Sequence, residues 1–181
     1  MMRALPLLML VACASTGAST RAGPRASDYY PLRTGVTWVY KGKFLGVEET
    51  RTVVMGPKDD SGFFKDDAGA RFTYDGEGLR DDTRYLLKQP LTVGAKWQSV
   101  AALGAIEKYE VKSVHQPCKV AAGRFDDCIE ISSELPVEQE KKLVALQLYA
   151  KGVGLVRLET AIVQGEVKTP QVEMELVQFR E

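Results

Sequence analysis

The chain has 181 residues, enough for one domain and short for two, with 45% hydrophobic, 27% charged and 8% aromatic residues. These values exclude a disordered, collagen-like or low-complexity chain. Its 24 basic residues balance 24 acidic ones, so no net charge favours nucleic acid, and the single histidine, His115, excludes any site that needs two imidazoles.

Met1-Met2-Arg3 makes a short positive start, and Ala4 to Val11 is an apolar run of eight. A spanning helix needs roughly 20 apolar residues, so this run suits the core of a cleaved secretory signal instead. Leu10-Val11-Ala12-Cys13 resembles the lipobox of bacterial lipoproteins. The resemblance implies a signal peptide over residues 1–12, cleavage before Cys13, diacylglycerol on its thiol and a palmitate-type acyl group on the freed amine. Ala14 stands where that family's inner-membrane retention signal is an aspartate. This implies a lipid-anchored place in the cell envelope, at the outer membrane where the cell has one. Each buried methylene contributes about 0.8 kcal/mol, and two or more chains anchor stably where one does not.

After Cys13, ASTGASTRAGPRAS (residues 14–27) is small, polar and without apolar period. It reads as a flexible tether, so residues 13–27 form a lipidated N-terminus and residues 28–181 a single domain. Loss of Arg3 leaves the mature chain one charge acidic.

From Tyr29 onward the apolar positions recur every second residue. Val36, Trp38 and Tyr40 alternate with polar or outward positions, as do Tyr109 and Val111, Ile129 and Ile131, and Val172, Met174 and Leu176. One apolar and one polar face is the pattern of a half-buried antiparallel sheet. Turn signals interrupt these runs at Asp59-Asp60-Ser61-Gly62, Asp75-Gly76-Glu77-Gly78, Ala122-Gly123, Gly152-Val153-Gly154 and Gly165, as in meandering hairpins. Glu138 to Lys151 (EQEKKLVALQLYAK) has helical propensity, but Val144, Leu146, Leu148 and Ala150 fit a strand face. With Leu155-Val156-Arg157-Leu158 beyond the glycines, it is read as a strand of a hairpin.

A short repeat, P-L-x-x-G-x-x-W, occurs at Pro31–Trp38 and again 59 residues later at Pro90–Trp97. The proline restricts the backbone, the glycine permits a turn closed to other residues, and the tryptophan buries a large surface. Each copy predicts a corner that feeds a strand. The alternative is that Trp38 and Trp97 flank a ligand mouth.

YYPLRTGVTWVY (29–40), PLTVGAKW (90–97), VAAGRFDDCIEI (120–131) and YAKGVGLVRLE (149–159) together resemble a group of uncharacterised bacterial secreted proteins and lipoproteins. That group opens with Y-x-P-L-x-x-G-x-x-W-x-Y, carries V-x-A-G-x-F-x-x-C and closes with Y-x-x-G-V-G-L-V. The resemblance implies a β-rich domain and brings no catalytic residues. Ala121 and Lys151 stand where proline is common in the group.

With Cys13 consumed by lipid, Cys118 and Cys128 remain, and an exported pair is expected to be bridged. A three-residue turn at Ala122-Gly123-Arg124 sets a register in which partner numbers sum to 246, which puts Cys118 opposite Cys128.

Four Asp doublets, at 59–60, 66–67, 81–82 and 126–127, offer oxygen ligands or paired carboxylates, but equally well turn residues. No EF-hand-type loop, G-x-S-x-G, P-loop or dinucleotide fingerprint is present. His115 is read as a surface residue at a strand end. No catalytic residue, metal ligand or cofactor is assigned.

The expected fold is all-β, an antiparallel meander of about eight to eleven strands curled into an open barrel or strongly bent sheet, with a β-sandwich as the alternative. The expected function is a non-enzymatic, membrane-anchored envelope lipoprotein that serves as a binding or structural module for an envelope protein or apolar ligand. The alternatives are a lipid or lipoprotein carrier with an apolar cavity, and a carboxylate-dependent hydrolase.

Overall fold

The computed structural model describes residues 23–101 and 104–181. Along them run a short helix, α1 (Ala26–Tyr29), and the strands β1 (Thr37–Phe44), β2 (Val47–Lys58), β3 (Phe64–Asp66), β4 (Arg71–Tyr74), β5 (Gly78–Arg80), β6 (Tyr85–Lys88), β7 (Lys96–Val100), β8 (Ile106–Val120), β9 (Gly123–Glu138), β10 (Lys141–Ala150), β11 (Gly154–Gln164) and β12 (Val167–Arg180). The lipobox-like segment with Cys13 and most of the expected tether lie outside the described residues.

All twelve strands belong to one antiparallel sheet in the order β6-β5-β4-β3-β2-β1-β12-β11-β10-β9-β8-β7. The first and last strands pair in its middle, with Thr37 opposite Arg180 and Phe44 opposite Val172. Its edges, β6 and β7, are consecutive in the chain. The result is an up-and-down, nearly closed barrel. A single curled sheet covers its own apolar face, so the sandwich alternative does not apply. The strand number exceeds the expected range because β3 to β6 hold only three or four residues each, too few to show a period in the sequence.

The expected alternation marks the inward face. Val36, Trp38 and Tyr40 are buried, as are Tyr109, Val111, Ile129, Ile131 and Leu176. Met174 and Val172, nearer the β11–β12 tip, are only half-buried. The ambiguous stretch at 138–151 is resolved as strand: β9 continues to Glu138, Glu140 takes a positive φ of 63° in the turn, and β10 begins at Lys141.

The repeat marks the barrel's two halves. Its first copy leads into β1 and its second into β7, so each introduces six strands. The local bonds match position by position. Gly35 N–H donates to Met55 O and Met55 N–H to Val36 O; Gly94 N–H donates to Val111 O and Val111 N–H to Ala95 O. Val36 N–H returns to Arg33 O, and Ala95 N–H to Thr92 O. Gly35 and Gly94 have φ of 89° and 82°, the left-handed region that favours glycine. Trp38 stacks on Tyr30, at 5.5 Å between centroids, and Trp97 on Tyr109, at 5.0 Å.

The body starts earlier than the tether reading placed it. Ala26 is buried within α1, and the N–H of Arg25 donates to the Asp28 carboxylate at the helix start. Tyr29 and Tyr30 follow directly into the core, where Tyr30 also packs against Phe72 and Tyr149. This aromatic group plugs the end of the barrel from which β1 starts.

Candidate functional site

The two tryptophans are core residues. Trp38 is fully buried and its indole N–H donates to Val153 O at 2.6 Å. Trp97 is 8% exposed and its indole N–H donates to Tyr85 O at 2.9 Å. A buried indole is favourable when its one donor is satisfied, and main-chain carbonyls do this in both cases. Trp97 does border one small groove of about 230 Å³, lined also by Lys88, Pro90 and Gln98.

The ladder between β11 and β12 begins at Arg157–Glu175, although β11 itself starts three residues earlier. Below that point the strands part and other groups intervene. Trp38 and Tyr40 reach from β1 to the carbonyls of Val153 and Leu155, the Tyr40 hydroxyl at 2.9 Å. The tip of the β8–β9 hairpin enters from the other side. Ala122 N–H donates to Leu176 O, and Arg157 donates to Lys119 O at 2.8 Å.

That hairpin carries the disulfide. Cys118 and Cys128 are joined, with Cα atoms 6.1 Å apart. The register differs from the expected one. Cys118 pairs with Phe125 and Gln116 with Cys128, and the turn is the two residues Ala121-Ala122, with Gly123 already opening β9. Register shifts between Ser113 and Cys118 supply the offset that brings the sulfur atoms together. A bulge adds residues to one strand and so moves its partners along.

His115 lies in this bulge, in the middle of β8 and not at its end, with φ of 54°. Its Nδ1 lies 3.1 Å from Asp127 Oδ1. The same oxygen accepts from the Tyr29 hydroxyl at 2.7 Å, and Lys151 Nζ is 3.5 Å from Oδ2. Four titratable groups from α1, β8, β9 and the β10–β11 turn therefore meet at Asp127. Main-chain bonds hold them there: Lys151 N–H donates to Asp127 O, and Gly152 N–H to Asp28 O. Burial opposes the charge on Asp127, but the bonds from Tyr29 and His115 and the Lys151 ammonium outweigh it, so its pKa lies below the usual carboxylate value. Burial first, then the Asp127 contact, push the Tyr29 phenol well above its ordinary value.

The Asp–His pair orients an exposed imidazole, which is half of an acyl-transfer constellation. The other half is a nucleophile. Among the described residues the side-chain hydrogen bond of His115 runs to Asp127, with no serine, threonine or cysteine on the ring. The cluster ties α1, the bulge and the β10–β11 turn together.

The other Asp doublets act locally. Asp59 accepts from the N–H groups of Ser61 and Phe63, and Asp81 from those of Thr83 and Arg84. Asp66 accepts from Ala70 N–H and Asp67 from Val54 N–H. Asp59 and Asp82 converge, but on the guanidinium of Arg71. Bonds from Ser61, Phe63 and Arg71 hold Asp59 far below the carboxylate range, the opposite of what a general acid needs. Asp66 is shifted up by burial. Asp126 is almost fully exposed. Among the described residues no three His, Cys, Asp or Glu side chains group closely enough to hold a metal ion.

Three features had no signal in the sequence. Glu107 is buried, accepts from Ser133 Oγ at 2.7 Å and lies 3.3 Å from Arg84. Glu159 and Glu173 stand directly opposite each other on β11 and β12. They border two open grooves of about 380 and 390 Å³ on this part of the sheet, one lined also by Lys41, Lys43 and Val177, the other by Val144, Leu146 and Lys168. A third groove of about 410 Å³ lies by α1, lined by Asp28, Arg33, Tyr74 and Lys151.

No family model matches the chain, and no curated protein does. Among solved structures, a chain described as a "putative lipoprotein" from Parabacteroides distasonis ATCC 8503 aligns with a TM-score of 0.45 and 14% sequence identity, over 84% of this chain and 99% of that one.

Proposed function

We propose that this protein is a lipid-anchored component of the bacterial envelope, at the outer membrane where there is one, and that its barrel is a binding or structural module and not a catalyst. The observation that carries the reading is the start of the chain: Arg3, the apolar run Ala4 to Val11 and then Leu10-Val11-Ala12-Cys13. Lipid on Cys13 holds the protein by the end of the barrel that carries α1. The ten Cα–Cα steps from Cys13 to Gly23 reach at most about 35 Å, so the barrel stays near the bilayer.

The packed interior supports a module over a carrier. Trp38, Tyr29, Met55, Leu79, Ile129, Ile131 and Leu176 fill it, and the grooves open on the surface with charged and apolar side chains mixed in their linings. The use of the doublets at 59–60, 66–67 and 81–82 in main-chain bonds or on arginine supports a module over a hydrolase. The partner is an envelope protein or an apolar ligand bound on that outer surface.

Fractionation of cells producing wild type and Cys13→Ser tests the anchor. Wild type enters the membrane fraction and the variant is released. A variant that fractionates as wild type does, or processing that globomycin leaves untouched, rejects it. Cross-linking of intact envelopes tests the module, since it should yield discrete adducts. Turnover lost on Asp127→Asn would point instead to catalysis.

A further inference from the structure

The barrel closes by main-chain ladders everywhere but once. β1 and β12 share a full ladder across eight residues of β1, whereas β6 and β7 have no ladder among the described residues. Side chains span the gap. Ser99 Oγ accepts from Tyr85 N–H at 3.1 Å, and the Trp97 indole N–H donates to Tyr85 O at 2.9 Å. Just before β6, Arg84 bridges to Glu107 of β8 at 3.3 Å while its other nitrogens hold Asp81. Both main-chain polar groups of Tyr85 are thus held by side chains from β7.

The strands on one side of this gap are short. β3 to β6 have three or four residues each, and the β3–β4 and β4–β5 ladders have two residue pairs apiece. β8 to β12 have ten to sixteen residues. Elements with few ladder bonds occupy the low-stability end of a fold and open without the rest.

We infer that the β6–β7 seam is a lateral gate, clasped by Tyr85, Ser99, Trp97 and the Arg84–Glu107 pair, through which the β3–β6 segment swings away from a barrel that otherwise stays closed. Behind the clasp lies a polar strip on an apolar wall. Glu107 accepts from Ser133, and Tyr109 is stacked under Trp97 with its buried hydroxyl close to Glu107. Opening the gate brings these groups to solvent.

Amide hydrogen exchange on the full chain tests this, with Tyr85 N–H as the direct reporter. In wild type the Tyr85 amide exchanges at least about 100-fold faster than the core amides of β9 and β10, and its rate is insensitive to low urea. Ser99→Ala removes the acceptor and speeds Tyr85 exchange by about a further fivefold while β9 and β10 keep their rates. Ser132→Ala, a change in β9 away from the seam, leaves Tyr85 unchanged. If Tyr85 exchanges at the rate and with the urea dependence of β9 and β10, the seam opens only by global unfolding and the inference is wrong. An equal acceleration of all three strands by Ser99→Ala overturns it in the same way. The wild-type measurement decides alone if a variant does not fold.

Discussion

Trp38 and Val153, 115 residues apart, are joined by a buried hydrogen bond from indole to main-chain carbonyl. The bond links the opening P-L-x-x-G-x-x-W-x-Y segment to the G-V-G-L-V segment near the end of the chain. It lies beside the parallel contact from Tyr40 to Leu155. Both donors stand on β1, and both acceptors precede Arg157, where the β11–β12 ladder begins. Trp38→Phe keeps most of the apolar contact and removes the donor, so a loss of about 1–3 kcal/mol is expected. Tyr40→Phe should cost about 1 kcal/mol. Urea midpoints measure both, and the double variant should lose less than the sum because the two bonds share one split. A Trp38→Phe protein as stable as wild type would show that the carbonyl of Val153 does not depend on this donor.

The disulfide closes a short loop, with a sequence separation of 10. Paired replacement of Cys118 and Cys128 by alanine should cost roughly 2–3 kcal/mol in the chain-entropy account. The hairpin tip should also lose its hold on β12, seen as faster exchange of the Ala122 amide, which donates to Leu176. Two alkylatable thiols in unreduced protein would contradict the bridge.

Gly42 is a packing glycine. A Cβ there would overlap the Glu173 carbonyl and the Met174 Cα of β12, both main-chain atoms that cannot step aside. Gly42→Ala should cost about 1–3 kcal/mol by overpacking. Gly76 has open space around it, so Gly76→Ala should stay within about 0.5 kcal/mol of wild type. Thermal melts of the two variants separate the cases.

Acid should loosen the Asp127 cluster. A carboxylate whose folded pKa is depressed contributes stability above its unfolded value, near 3.9, and that contribution is lost as the pH falls through the folded pKa. Asp127 is such a group. Asp127→Asn should lower stability by about 1–2 kcal/mol at neutral pH and flatten the fall of stability between about pH 5 and 2. Asp66, shifted up by burial, acts with the opposite sign and remains in the variant. An unchanged acid limb would show that Asp127 is no contributor to it.

Glu159 and Glu173 are like charges directly opposite on an antiparallel pair, an arrangement that destabilises. Lys43 also faces Glu173, but the cross-strand neighbours of Glu159 are Leu146 and Glu173. Glu159→Lys should therefore stabilise by roughly 0.2–1 kcal/mol, less in high salt. A destabilised variant would mean that the outer face relieves the repulsion in another way.

Much of the body was legible because period-two burial is a local property. Trp38 and Tyr40, or Tyr109 and Val111, declare the inward face two residues at a time. The repeat was legible as a corner for the same reason, since Gly35 and Gly94 need a positive φ whatever surrounds them. The short strands β3 to β6 were not legible, because three or four residues carry no period and their ladders are set by neighbours. The Cys118–Cys128 bridge was legible, but the register behind it was not. The cysteines were placed opposite each other by a regular hairpin, but the bulge at Ser113–Cys118 shifted the partners and put His115 in the middle of a strand beside Asp127. The tryptophans gave no hint of whether their N–H groups would meet a ligand or a carbonyl.

By itself, then, the chain of residues determined a sheet-forming body, two corners 59 residues apart and a cysteine pair able to bond. Each of these depends on chemistry within a few residues. Only the tertiary structure decided that β1 meets β12, that β6 and β7 meet through side chains, and that Asp127 gathers Tyr29, His115 and Lys151. Those contacts join segments twelve or more residues apart, and their geometry follows from how the sheet curls and where its strands bulge, which no local pattern encodes.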